Sequence, residues 1–508
     1  MERNLHLWNQ PGRLTASFVP PMLRRQFAAT PKRNLGVELI GDHAALFWVD
    51  ICDFSPMANR LMLDRARGIE RLSGILQDHF EPLLTIITKF GGGPVSFAGD
   101  SVLAAWPCSA DNLRLATENA LACAQAVSAA RAVFDDQRRP ISLHLVVAAG
   151  TCQLIELGGV NGHWTFTLLG EALDDLRLTA RNRAPNKVLL SKNTCTVLGP
   201  DVQSIAVEHG AVILSATVQL EHHPTSDDPP LLPEAYESLK AYIPQSVAFR
   251  LDQERLNWIA ELRPVTIVFV QLQNFTPETS DAAECLQRTV EIAISIVLRD
   301  DGLLNQVWID EKAANLLICF GPPPTEHNDN PVRGLQTAVA LQTALQKNGL
   351  RNSIGVTTGR GFCGLLGNDV LRQYTVIGDV VNLAARLAGL SKDCVNCDEA
   401  TMRAASNAFE FNDSQRITVK GRVEQIAVWE PKRATPFKRN QQLLLPMVGR
   451  EKQLNMFLDA LNDIATGNRT AFVVEGESGL GKSRLLTEFK DRAVTLSCRG
   501  LCCMALWK

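Results

Sequence analysis

Two aspartates carry the clearest chemical signal in this sequence. Asp50 closes the apolar run Ala45-Leu-Phe-Trp-Val49, which reads as a buried strand. Asp100 lies in Ala98-Gly99-Asp100-Ser101, between the β-rich runs Val95–Phe97 and Val102–Trp106, and that pattern predicts a hairpin. If these strands share a sheet, the two carboxylates meet at a strand end and a hairpin tip. A bare like-charge pair is costly there, and a divalent cation removes the cost. Mg²⁺ suits the arrangement, because it takes one or two carboxylates and completes its octahedron with phosphate oxygens. Each acid alone also fits an ordinary strand-end or turn role, so the pair draws its weight from the rest of the chain.

The elements that must position them follow from the pattern around them. Helical spacing of Leu61, Leu63, Ile69, Leu72, Ile75 and Leu76 predicts a helix over 57–90, and an Ala-rich helix is expected over 112–134. Alternation predicts strands over 141–149 and 164–169, and Gly170 opens a helical run to Arg183. The 508 residues are too many for one core, so several domains are expected. A net charge of −3 argues against a general nucleic-acid binder and against attachment to anionic lipid. The thirteen cysteines are scattered, the first 26 residues lack a secretory pattern, and no apolar run approaches the ~20 residues of a membrane span. A soluble, cytoplasmic protein with reduced thiols is the expectation.

After a His-, Asp- and Pro-bearing connector the pattern begins again. Thr266-Ile-Val-Phe-Val-Gln-Leu-Gln-Asn-Phe275 echoes Ala45–Phe54, and Ser353-Ile-Gly-Val-Thr-Thr-Gly359 echoes Leu145–Gly150. Tyr374-Thr-Val-Ile-Gly-Asp-Val-Val-Asn-Leu-Ala-Ala-Arg386 echoes Phe166–Arg177. The copies differ where chemistry would be done. Gln271 replaces Asp50 in the second copy, while Asp174 and Leu178 stand in the first where the second has Asn382 and Arg386. Asn382 and Arg386 are four apart on one helix face and could orient a reacting oxygen and stabilise phosphate charge. One half keeps metal ligands and the other a polar clamp, so one composite site at an intramolecular pseudo-dimer interface is expected.

Downstream, Gly476-Glu-Ser-Gly-Leu-Gly481-Lys482-Ser483 matches a P-loop between a predicted strand (470–476) and a helix. Its amides would cradle phosphates, with Lys482 on the terminal phosphates and Ser483 on Mg²⁺. Only 25 residues follow Ser483, so a partial ATPase module is expected.

FWVDICDF, FAGDSVLAAW, LRPVTIVFV and YTVIGDVVNLAAR resemble the paired catalytic domains of class III nucleotidyl cyclases, above all the soluble, bicarbonate-responsive adenylyl cyclases. The resemblance implies an α/β (α+β) fold of two ferredoxin-like βαββαβ domains, with domains at 35–220 and 261–432. A lead-in (1–34), linkers (221–260 and 433–447) and a partial P-loop domain (448–508) complete the expected organisation. It implies conversion of ATP to cyclic AMP with two Mg²⁺ ions, or Mn²⁺, held by Asp50, Asp100 and the Ile51 carbonyl. The turn at Cys52, Asp53, Phe54 and Ser55 would hold phosphates, Arg386 would stabilise the transition state and Asn382 would orient the ribose. Gln306, Thr375 and Val376 would face the base. Bicarbonate or Ca²⁺ would be candidate activators, with an anion site at Ser96 and Arg177. This chain has Gln306 at the adenine-reading lysine position, Ser96 at one of two cationic anion anchors, and Cys52-Asp53 where small residues are usual. Two alternatives stay open: a guanylyl cyclase, and a pair without turnover that senses nucleotide or anion and regulates the ATPase module.

Overall fold

The computed structural model describes residues 11–30, 36, 39–63, 65–130, 140–216, 231–244, 247–248, 261–273, 275–276, 279, 281–310, 313–324, 327–390, 393–417, 425–434, 449–465, 474, 485 and 488–489. The chain forms two compact units, Met1–Pro436 and Phe437–Lys508.

The first unit opens with helices α1 (Pro11–Ala16) and α2 (Pro21–Ala29), followed by β1 (Leu39–Ile40) and β2 (His43–Ile51). Helices α3 (Phe54–Leu63) and α4 (Arg65–Lys89) lead to the hairpin β3 (Gly93–Ala98) and β4 (Ser101–Cys108), then α5 (Leu113–Ala129) and β5 (Leu143–Thr151). An arm of β6 (Gln153–Val160) and β7 (His163–Leu169) precedes α6 (Glu171–Thr179), β8 (Val188–Ser191), α7 (Lys192–Leu198), β9 (Val202–Val207) and β10 (Gly210–Ala216). After α8 (Pro233–Leu239) the plan repeats with β11 (Glu261–Leu272), α9 (Ala282–Arg299), the hairpin β12 (Leu303–Asp310) and β13 (Ala313–Phe320), and α10 (Asn330–Lys347). It closes with β14 (Asn352–Gly367), β15 (Arg372–Ile377), α11 (Asp379–Ala388), β16 (Val395–Asp398), α12 (Glu399–Ala405) and short strands to Ala434.

The two large sheets share one topology. Their orders are β3-β4-β2-β5-β8 and β12-β13-β11-β14-β16, each continuing into edge strands. In both, the last of these pairings (β5 with β8, β14 with β16) is parallel and the others antiparallel. The core four strands thus follow the expected βαββαβ order. Apolar strands explain the placement: in β2 the burial is nearly continuous, as a central strand covered on both faces requires.

The halves exchange apolar side chains. Phe362, Leu366, Leu371 and Ile377 from the second repeat enter the first repeat's helix-side core, beside Phe80 and Phe97. Ile155, Leu157 and Leu169 from the first repeat enter the second repeat's core in the same way. Self-complementary burial of this kind is what an interface between two like folds requires.

Local pattern differs from the structure in places. The single helix expected over 57–90 is the pair α3 and α4. Residues 11–30, expected as part of a lead-in, form α1 and α2, with Val19, Leu23 and Phe27 fully buried against the first repeat. Phe18 enters a cluster with Val265, Ile267 and Phe269 of the second repeat. Prolines at helix starts cut this segment into pieces too short for a periodicity to show. Within the expected linker 221–260, α8 and Tyr242 are packed into the first repeat. In the second unit, Glu451–Ala465 forms the helix α13. The strand expected over 470–476 and the P-loop residues Gly476, Gly481, Lys482 and Ser483 lie outside the described residues.

Candidate active site

The acid pair forms as the sequence pattern suggests. Asp50 lies at the end of β2, where Val49 pairs with Val102 of β4, and Asp100 occupies the two-residue turn closed by Ala98 and Ser101. The two side chains hydrogen-bond to each other. Burial pushes the Asp50 carboxyl up to about 6, against the pull of the Asp100 bond and of Arg183 nearby. Burial and the Asp50 charge push Asp100 well above the usual carboxylate range. Two buried carboxyls in contact need a shared proton or a cation. Among the described residues no cluster of three or more His, Cys, Asp or Glu side chains forms a self-sufficient metal cage. The donor set therefore fits a hard cation that draws its remaining ligands from backbone, water and substrate.

Arg183 escaped the sequence reading. It lies beyond α6 in an Asn-Arg-Ala-Pro stretch with no periodicity, and only the fold brings its charge to Asp50. Next to the acids, Cys52 and Asp53 form the turn into α3, and Asp53 takes the left-handed conformation at φ 58. Burial and the charges of Asp50 and Asp53 push the Cys52 thiol up, so it is not a thiolate nucleophile. Phe54 buries its ring in the core, which leaves only its backbone for a ligand; Ser55 follows in the first turn of α3.

Asn382 and Arg386 share one helix, α11, that is fixed tightly to its sheet. Thr357 Oγ1 donates to Val380 O at 2.7 Å and Ser353 Oγ to Ala388 O at 2.6 Å. A Cβ on Gly355 would stand 2.0 Å from Ala384 O, so only glycine admits the helix backbone this close. Both side chains are half-buried.

The second repeat lacks the acids. Gln271 replaces Asp50 and bonds Asn315 across the strands, with Nε2 donating to Oδ1 at 3.4 Å. Beyond the Trp308–Asn315 pair the longer hairpin continues with Ile309 and Ala314, so no acid lies next to that amide pair.

The halves meet through three amide contacts on one residue. Gln306 Nε2 donates to Phe97 O at 3.0 Å, and Gln373 Nε2 donates to the same oxygen at 3.2 Å. Phe97 N–H in turn donates to Gln373 Oε1 at 2.9 Å. Thr375, two residues after Gln373, is buried, and Val376 joins an apolar cluster.

Ser96 and Arg177 line an interface cavity of about 340 Å³ together with Gln306 and Gln373, so the expected anion and base positions share one space, walled by Trp48, Phe166, Trp308 and Tyr374. Arg177 Nη1 is 3.3 Å from Asp174 Oδ1, which offsets its charge. With Ser96 neutral, the cavity keeps Arg177 and lacks the second of the two cationic anchors expected of an anion site.

Residues 332–430 match the family described as "Adenylate and Guanylate cyclase catalytic domain", and residues 446–504 match "AAA ATPase domain". The chain is 28% identical over 495 residues to adenylate cyclase type 10 of Homo sapiens, and 26% identical over 500 residues to that of Rattus norvegicus. Each alignment covers 88% of this chain and 30% of the relative, so the chain spans about a third of their length. A solved structure of a class III adenylyl cyclase-like ATP-binding protein from Pseudomonas aeruginosa has the same fold, with a TM-score of 0.50 and 14% identity over 76% of this chain and 92% of that one. Together with the repeated fold, these matches make the chain similar to adenylate and guanylate cyclase catalytic domains over its repeats and to an AAA ATPase domain after them.

Proposed function

We propose that the two repeats form one adenylyl cyclase site, converting ATP to cyclic AMP and pyrophosphate. The observation that carries this reading is complementary loss: the acid pair exists in the first half, and the Asn/Arg clamp in the second. The ribose 3′-oxygen attacks the α-phosphorus, the bond to the β-phosphate oxygen breaks, pyrophosphate leaves, and the 3′-hydroxyl proton passes to solvent. A divalent cation on Asp50 and Asp100, Mg²⁺ or Mn²⁺, would lower the pKa of that hydroxyl and neutralise phosphate charge. Arg386 stabilises charge on the transferring phosphoryl oxygens, and Asn382 orients the ribose. The half-buried setting strengthens both interactions relative to water.

Gln306 supports adenine over guanine. Its Nε2 is committed to Phe97 O, which leaves Oε1, an acceptor, as the group to meet a base. An acceptor suits the exocyclic amine of adenine at position 6 and opposes the carbonyl that guanine carries there. Arg177 paired with Asp174 supports activity without bicarbonate control.

Incubating the full chain with ATP or GTP, with Mg²⁺ or Mn²⁺, and quantifying both cyclic nucleotides tests the reading. Cyclic AMP that disappears in Asp50→Asn and in Arg386→Ala is the expected result. A folded chain that binds Mg-ATP and makes neither product would favour a nucleotide-sensing pair without turnover.

A further inference from the structure

We infer that Gln373 is a positioning residue, pinning the acid-bearing hairpin to the clamp-bearing strand in one fixed register. The inference rests on the composite-site reading above. Strand β3 is the outer strand of its sheet, so backbone groups along its free edge need partners. At Phe97 both are supplied by one side chain 276 residues away: Gln373 accepts from Phe97 N–H and donates to Phe97 O. Only one amide orientation satisfies both bonds, so the contact fixes direction as well as distance.

Each end of the pin is rigid. Phe97 is fully buried, its ring set edge-on against Phe80 at 5.0 Å between centroids. Three residues on, the turn presents Asp100. On the other side, Gln373 precedes Thr375 in β15, and the chain passes through Gly378 into α11, the helix sewn to its sheet by Thr357 and Ser353. A continuous path of fixed backbone therefore runs from the acids, through this amide, to Asn382 and Arg386.

The other seam has its two-bond amide contact elsewhere, with Gln287 of α9 accepting from Gly158 N–H and donating to Gly158 O, and not on its hairpin. Thr165 occupies the position equivalent to Gln373, and Val307 the one equivalent to Phe97; no hydrogen bond joins them among the described residues. The pin occurs at the seam that carries the acids. Reaction geometry is sensitive at this scale, since a displacement of about 1 Å can cost about 100-fold in rate.

The test compares the full chain with Gln373→Leu, which removes both bonds, and Gln373→Glu, which keeps the acceptor for Phe97 N–H and loses the donor. Hydrogen exchange over residues 93–98, kcat for cyclic AMP formation, and affinity for α,β-methylene-ATP with Mg²⁺ are measured for each. Expected for Gln373→Leu are faster exchange at Phe97, a kcat lower by about 10- to 100-fold, and an affinity within about threefold of the parent. Gln373→Glu falls between. Unchanged exchange would overturn the pin, and faster exchange with kcat within twofold would overturn its role in the reaction. A parallel fall of kcat, affinity and folded fraction in both variants would reduce Gln373 to a fold residue and overturn the inference too. A parent chain with no cyclase activity sinks the proposed function instead, and exchange at Phe97 then decides alone whether the pin exists.

Discussion

The acid pair should make the metal-free chain weaker at neutral pH than the same chain with the pair broken. Asp50 is raised from 3.8 to about 6, chiefly by burial, and Asp100 is raised further by burial and the Asp50 charge. A native carboxyl with a raised pKa holds its proton longer than the unfolded one does, so stability is complete below about pH 4 and declines as pH climbs through 6. The Asp50 shift alone corresponds to about 3 kcal/mol lost by neutral pH in the absence of a cation. Mg²⁺ should restore it, because the cation replaces the shared proton. In Asp100→Asn the second buried carboxyl and its contact with the Asp50 charge are removed, so this variant in EDTA should be more stable than the parent at pH 7.5 and little changed at pH 4, while the burial cost of Asp50 remains. It should also respond weakly to Mg²⁺. Urea unfolding of both chains at the two pH values, with EDTA and with Mg²⁺, gives the comparison. A parent equally stable in EDTA at pH 4 and pH 7.5, or an Asp100→Asn variant weaker than the parent at pH 7.5, would refute the reasoning.

Other outcomes can be checked with the same protein. On the proposed site, where the Arg386 guanidinium would act on charge developing in the transition state, Arg386→Ala should lower kcat by about 100- to 1,000-fold with KM for ATP changed little, as steady-state kinetics will report. Gly355→Ala places a methyl 2.0 Å from Ala384 O, so α11 must shift; about 1–3 kcal/mol of stability should be lost in urea unfolding, and cyclase activity with it. Bicarbonate should change the rate less than twofold, since Arg177 is paired with Asp174 and Ser96 is neutral. Ser96→Lys should increase that response in the same assay, and a large response from the parent would contradict the pairing argument.

The fold was legible in the sequence where local pattern and burial coincide. The continuous apolar run before Asp50 could only be a central strand, and the Gly-Asp turn could only close a hairpin, so the acid pair was visible before any coordinates. The repeat exposed the second half because its strands preserve the same order of apolar and turn residues. What stayed hidden depends on contacts far apart in the chain. Arg183 reaches Asp50 from beyond α6, Phe97 meets Gln373 across 276 positions, and α1 and α2 become helices under the packing of Leu23 and Phe27. Nothing in their local spacing distinguishes them from surface polar residues or a proline-rich tail.

The divided site also has a physical logic in the way the second half lost its acids. Gln271 stands at the Asp50 position and Ala314 at the Asp100 position, and the Gln271 amide bonds instead to Asn315, which faces it across β11 and β13 at the Ser101 position. Asn315, fully buried, satisfies its remaining donor on Ala313 O. An amide pair keeps the strand-end geometry and needs neither proton nor cation, so this strand end carries no ionisation cost at neutral pH. The first half retains the opposite choice, a buried acid pair that is costly at neutral pH and that the proposed cation would relieve. If that division is right, the pH- and Mg²⁺-dependence of folding belongs to the first half, and Gln271→Asp should create a second pH-dependent destabilisation. A single carboxylate facing Asn315 would be buried with only amide partners, and its cost should grow from about pH 4 upward, in the same sense as for Asp50. Urea unfolding of Gln271→Asp at pH 4 and pH 7.5 reads it directly; equal stability at both would show that Gln271 is not what spares this strand end an ionisation cost.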